Sequence, residues 1–183
     1  MDDKRQQIIE AALTELREAG FAAFSQTKVA KRAGLRQSHL TYYYPTRADL
    51  VVAVAETAMT QQLAAVEALL AGTPPAKAPA QLATLLGRKE NTRILMALVQ
   101  GADEEPRLQP LFTEFARQMR ERAAGLLGGA KPGKAPGTDA YLLHALCVGL
   151  AVLGLALDHG EDGQTHRLDV LKSAMKNLGS TNG

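Results

Sequence analysis

The sequence has no tryptophan, one cysteine, and only four tyrosines and four phenylalanines in 183 residues. A lone thiol, Cys147, excludes an internal disulfide framework and fits a reducing compartment. Runs of β-branched residues are few while alanine and leucine dominate, which argues for an all-α protein. The opening MDDKRQQIIE is acidic and polar where a secretory leader would be basic and then apolar, so the chain is expected to be cytoplasmic. No serine–histidine–aspartate or cysteine–histidine constellation can be assembled. Hence no catalytic residue and no cofactor is assigned, and an enzyme is not expected.

A second absence is local. No aspartate or glutamate occurs between Glu18 and Asp49, whereas Lys28, Lys31, Arg32, Arg36, Arg47 and His39 all lie there. The formal charge of +2 resides in residues 1–50, and the remainder sums to zero. Three of the four tyrosines, Tyr42, Tyr43 and Tyr44, share the same stretch. A solvated helix face normally mixes signs, so a one-sign segment rich in hydroxyls points to a polyanionic partner more than to an ordinary basic surface.

Helical periodicity organises the chain. Ile8, Ile9, Ala12, Leu13, Leu16 and Ala19 recur on one face until Gly20 stops the run, with Phe21 and Phe24 as core anchors in the turn. TKVAKRAG predicts a short helix with Thr27 as N-cap and Gly34 just past its end. SHLTYYY predicts a third, closed by Pro45. TRAD is a capping box in which Thr46 caps and Asp49 reaches back, opening a long helix to Leu70. After the Pro-rich AGTPPAKAPA, helices are expected over 82–86, 92–102, 108–127, 138–157 and 165–178. Division into a first part, 1–46, and a second, 47–183, follows with no flexible linker between them.

Two short helices joined by a glycine-containing turn make a helix-turn-helix, whose second helix can enter the major groove of DNA. Thr27 to Ala33, a turn at 34–36, and Gln37 to Tyr44 fit that unit, with Val29, Ala30, Ala33, Leu35 and Leu40 facing inwards. Thr27, Lys28, Arg36, Gln37, Ser38, His39, Thr41, Tyr42, Tyr43 and Arg47 are the candidate DNA contacts. Glutamine matches adenine and arginine matches guanine, whereas hydroxyls, lysine and the start of a helix suit phosphate.

TKVAKRAGLRQSHLTYYYPTRADL resembles the signature of TetR-type transcriptional regulators: a threonine before a short helix, A..AG at its end, then L.Y.(Y/F)P.(K/R)..L. The likeness covers residues 4–58. It implies an all-α homodimer with DNA-binding helices one to three, a connecting fourth helix, an inducer-binding part, and a dimer interface from the last two of about nine helices. Three positions depart from the pattern. Arg36 stands where the family has a capping serine, which passes the cap to Ser38; Ser38 stands for glycine and Thr41 for tyrosine. The implied function is a repressor that binds a palindromic operator and is released by a small, largely hydrophobic effector. Met59, Leu63, Met96, Val99, Phe112, Phe115, Met119, Tyr141 and His144 are the candidate effector contacts. The competing reading is a helical small-molecule-binding or adaptor protein whose helix-turn-helix contacts protein.

Other signals are weaker. The apolar run 140–157 is marginal for a membrane span, and a helix apolar all round also suits a dimer seam backed by a core. GGAKPGK lacks the following serine or threonine and the preceding strand of a phosphate loop. Asp158, His159, Glu161, Asp162 and His166 match no metal-binding spacing and read as a solvated loop. His144 and Cys147, three apart on an apolar helix, read as core neighbours. No metal site is assigned.

Overall fold

The computed structural model describes residues 3–128, 136–157 and 162–179. Among these are nine α-helices and no strand: α1 Asp3–Ala23, α2 Gln26–Arg32, α3 Gln37–Tyr43, α4 Arg47–Leu70, α5 Ala78–Leu86, α6 Lys89–Gly101, α7 Leu108–Leu126, α8 Thr138–Ala156 and α9 Asp162–Gly179. The all-α expectation holds. The phosphate-loop-like GGAKPGK falls mostly outside the described residues, as do Asp158, His159 and Glu161.

The chain forms two compact units, Met1–Gln62 with Arg93–Thr113, and Leu63–Thr92 with Glu114–Gly183. In the first, α1 is broken at Gly20, whose φ of 74° is open to glycine at little cost. The chain turns there and buries Phe21 and Phe24, as their spacing suggested. Ile8, Ala12, Leu16, Val29, Leu40, Leu50, Val51, Val54, Leu98 and Leu108 are fully buried in the same unit. Side-chain amides tie its helices end to end: Gln7 donates to the Ala33 carbonyl at 2.7 Å and Gln26 to the Tyr44 carbonyl at 2.6 Å.

Several helix starts differ from expectation. Ser25, not Thr27, caps α2; it is extended and accepts the Lys28 amide, so Thr27 lies inside the first turn. At α3 the extended residue before the helix is Arg36, and Ser38 is already helical, so no side chain caps it. α5 begins at Ala78 with Pro79 in its first turn, where a missing N–H costs nothing. α9 begins at Asp162, a carboxylate suited to a helix N-terminus.

In the second unit, α5, α8 and α9 pack around Leu82, Ala83, Ala123, Ala124, Ala140, Leu143, Leu150 and Leu171. The guanidinium of Arg167 donates to the Ala83 carbonyl at 3.4 Å, joining α9 to α5. Among the described residues α8 is the one helix long and apolar enough to cross a membrane. It buries Ala140, Leu143, Leu150 and Gly154, yet leaves Tyr141, Leu142, Val148 and Leu153 exposed. Cys147 is held as a thiol, its pKa pushed up to about 12 by burial.

Two consequences are measurable. A Cβ on Gly101, at the end of α6, would lie 2.2 Å from the Phe21 ring. Gly101→Ala should therefore cost roughly 1–3 kcal/mol of stability, or more, in urea unfolding; an unchanged midpoint would mean that the ring moves freely. His144 titrates below its ordinary 6.5 because burial, and then the Arg120 cation, disfavour the charged ring. The stability this confers is complete above 6.5 and lost as pH falls towards the lowered value. Melting temperature should drop from pH 7.5 to about pH 5, and His144→Gln should flatten that drop.

Candidate nucleic-acid interface

The turn between α2 and α3 is built by short-range rules. Gly34 has φ 65°, the Leu35 amide donates to the Ala30 carbonyl at 2.9 Å, and the Gly34 amide to the Lys31 carbonyl at 3.2 Å. This pair of bonds is a Schellman motif, which needs a left-handed residue where Gly34 stands. Leu35 follows as its apolar residue, and α3 begins two residues later. Beyond α3, the Thr46 amide donates to Asp49 and the Asp49 amide to the Thr46 hydroxyl, both at 3.0 Å. The capping box thus starts α4 as its sequence indicates. The Thr46 hydrogen bond, then the Arg107 guanidinium, holds the Asp49 carboxyl below its usual range.

Between these two fixed ends, α3 buries Leu40 and turns Gln37, Ser38, His39 and Tyr42 outward, with Arg36 exposed ahead of it. Tyr42 is 80 % exposed, which no core role explains. No side chain caps the first turn of α3, although the His39 amide bonds the Arg36 carbonyl at 3.0 Å. Thr27 and Lys28 are exposed on α2, with the Lys28 ammonium donating to the Ala23 carbonyl at 2.8 Å.

Three candidates are less open. Thr41 directs its hydroxyl back to the Gln37 and Ser38 carbonyls, at 3.1 and 3.2 Å. Tyr43 is half-buried, its ring edge-on to Tyr42 at 5.1 Å and 5.7 Å from the Arg5 guanidinium. Arg47 is half-buried and donates to the carbonyls of Phe24 and Phe21, at 3.2 and 3.1 Å. Arg5 is the residue that sequence reasoning missed. It lies over both Tyr43 and Tyr44 from α1, a placement with no local signature.

Folding also redistributes the charge of the acid-free stretch. Arg32 pairs with Glu15 at 3.1 Å and Glu18 at 2.7 Å, and Glu15 is the one buried charged residue among those described. Lys31 and Arg36, both exposed, form no ion pair among the described residues.

The nine effector candidates divide between the units. Met59, Met96, Val99 and Phe112 lie in the first; Leu63, Phe115, Met119, Tyr141 and His144 lie in the second. Met59 is buried, whereas Val99 and Tyr141 are half or more exposed. Two open clefts in the second unit, of about 520 and 280 Å³, are lined by other residues, among them Gln81, Thr84 and Arg88 in the larger. Among the described residues no cluster of three or more histidine, cysteine or acidic side chains is arranged to hold a metal.

Residues 8–54 match the sequence profile of the bacterial regulatory proteins of the tetR family. No curated protein sequence matches the chain significantly. Solved structures do. A transcriptional regulator from Rhodococcus sp. Rha1 superposes with a TM-score of 0.80 at 22% identity, over 94% of this chain and 95% of its own. A TetR-family member from Streptomyces coelicolor A3 gives 0.74 at 27% identity, over 94% and 98%. The multidrug binding protein EbrR, complexed with ethidium, gives 0.70 at 27% identity, also over 94% and 98%. The matched segment contains the Schellman turn, the outward face of α3 and the capping box, and the regulators' fold extends over nearly all the rest. Residues 8–54 thus carry a helix-turn-helix segment of the tetR family, on a chain whose fold is that of TetR-family transcriptional regulators.

Proposed function

We propose that the protein is a homodimeric repressor that binds a palindromic operator through α3 and leaves it when a small, largely hydrophobic effector binds. The observation that carries this reading is the outward row Arg36, Gln37, Ser38, His39 and Tyr42 on a short helix held at both ends. Gln37 and His39 have the donors and acceptors to read base edges, while Tyr42, Thr27 and Lys28 suit phosphate. Thr41, Tyr43 and Arg47 complete the contact set, the last two through the small part of their surface that is open. Residues 1–46 are the DNA-binding part and 47–183 the regulatory part. The protein works in the cytoplasm, without catalysis.

The exposed apolar face of α8 supports the dimer. Tyr141, Val148 and Leu153 would be costly to leave in water, and Gly149 has open space where a side chain would sit, so another helix can approach closely there. A second copy, meeting through α8 and α9, covers this face without entering a membrane. Two recognition helices then address half-sites about 34–36 Å apart. The ethidium complex of EbrR supports a small-molecule effector here. It acts only to the extent that it binds the DNA-free arrangement more tightly.

A salt titration tests the DNA reading against the adaptor alternative. Affinity for duplex DNA should fall steeply as salt rises. Tyr42→Phe should weaken binding to all sequences by about fivefold, the value of one hydrogen bond. Gln37→Ala should instead change which sequence is preferred. Binding that ignores salt, or no binding, sinks the reading. Sedimentation tests the dimer: Leu153→Glu should yield monomers, and a persistent dimer would place the seam elsewhere.

A further inference from the structure

The first turn of α4 and the turn between α6 and α7 carry complementary charges, all within the first unit. Arg107 donates to Asp49 at 3.0 Å and to Glu105 at 2.8 Å. Glu104 faces Arg47, Oε2 lying 3.7 Å from Nη1. The two contacts differ in kind. Asp49 and Glu105 are hydrogen-bonded acids, whereas Glu104 stands beyond hydrogen-bond length on a side chain 64% exposed. Charge alone holds it.

Arg47 is far less free. Its Nε and Nη2 are committed to the carbonyls of Phe24 and Phe21, and the guanidinium lies 4.4 Å from the centroid of the Phe21 ring. Its plane is thereby fixed, and the nitrogen not bonded to a carbonyl is the one that faces Glu104. To a guanidinium, a carboxylate and a phosphate are the same kind of acceptor. Glu104 lies against that nitrogen, so a phosphate arriving at Arg47 meets its negative charge and competes with it for the N–H donors left open.

We infer that Glu104 is a built-in competitor for the DNA phosphate at Arg47, a brake on duplex binding carried by the α6–α7 turn. This rests on the DNA-binding reading above. The brake is weak because the pair is exposed and screened by salt. It acts on every sequence alike, since phosphates carry no base information. Asp103 is the internal control: it is exposed on the same turn, carries the same charge and forms no ion pair among the described residues.

The probe is a random-sequence 30-base-pair duplex, titrated against the full chain in about 50 mM salt, where phosphate contacts dominate. Glu104→Gln should tighten binding about two- to fivefold, as expected for removal of an exposed pair. Asp103→Asn, which removes the same charge, should do so much less. In an Arg47→Ala background the Glu104→Gln gain should shrink to the Asp103→Asn level. Equal gains from Glu104→Gln and Asp103→Asn, or a full gain without Arg47, would overturn the inference while leaving DNA binding intact. No duplex binding by the parent protein would overturn the DNA reading itself and this with it. Arg47 also supports the fold, so if Arg47→Ala does not fold, the comparison of the Glu104 and Asp103 variants decides alone.

Discussion

The break in α1 at Gly20 leaves the chain with a problem that the rest of the first unit is arranged around. Where a helix stops, carbonyls lose their partners, and those of Phe21 and Phe24 lie beside buried rings. Arg47 donates to both from the start of α4, the Phe21 carbonyl also accepting the Phe24 amide at 3.1 Å, and its guanidinium lies over the Phe21 ring. One side chain thus ties the α1–α2 corner to the helix that follows the recognition helix. Gly101 closes the other side, lying so near Phe21 that a single methyl would collide with it. An unpaired buried carbonyl typically costs about 1–3 kcal/mol, so this junction is strongly specified.

That constraint places α3. Its start follows a Schellman turn and its end precedes a capping box, while Gln26 holds the Tyr44 carbonyl from α2. Leu40 anchors the helix, and Gln37, Ser38, His39 and Tyr42 are left on the far side. The preorganisation matters because a helix of seven residues is unstable alone. What faces outward is more hydroxyl, amide and imidazole than cation. Arg32 is taken by Glu15 and Glu18, and Arg47 by backbone carbonyls and Glu104.

α8 shows the same economy in the second unit. Its sequence is apolar on all sides, and one side is used by the core of α5 and α9. The other side, with Tyr141, Val148 and Leu153, is open. Gly154 is buried against α9, near Arg167, while Gly149 faces open space. The two glycines therefore serve different sides of one helix, which their equal appearance in the sequence conceals.

Local order was legible without coordinates because its causes act within a few residues. The helical periods, the stop at Gly20, the Gly34 turn and the Thr46–Asp49 box all depend on neighbours one to five positions away. The same locality exposes the recognition helix, since Leu40 alone of its middle residues is a large aliphatic. Tertiary structure decided the partners. Ser25 replaced Thr27 as the cap because where the chain emerges from α1 sets which residue is extended. Arg32, Arg47 and Arg5 found carboxylates, carbonyls and rings on other helices, at separations no short pattern encodes. Charge can be counted along a chain, but whether a cation remains available depends on what folding brings within hydrogen-bond reach.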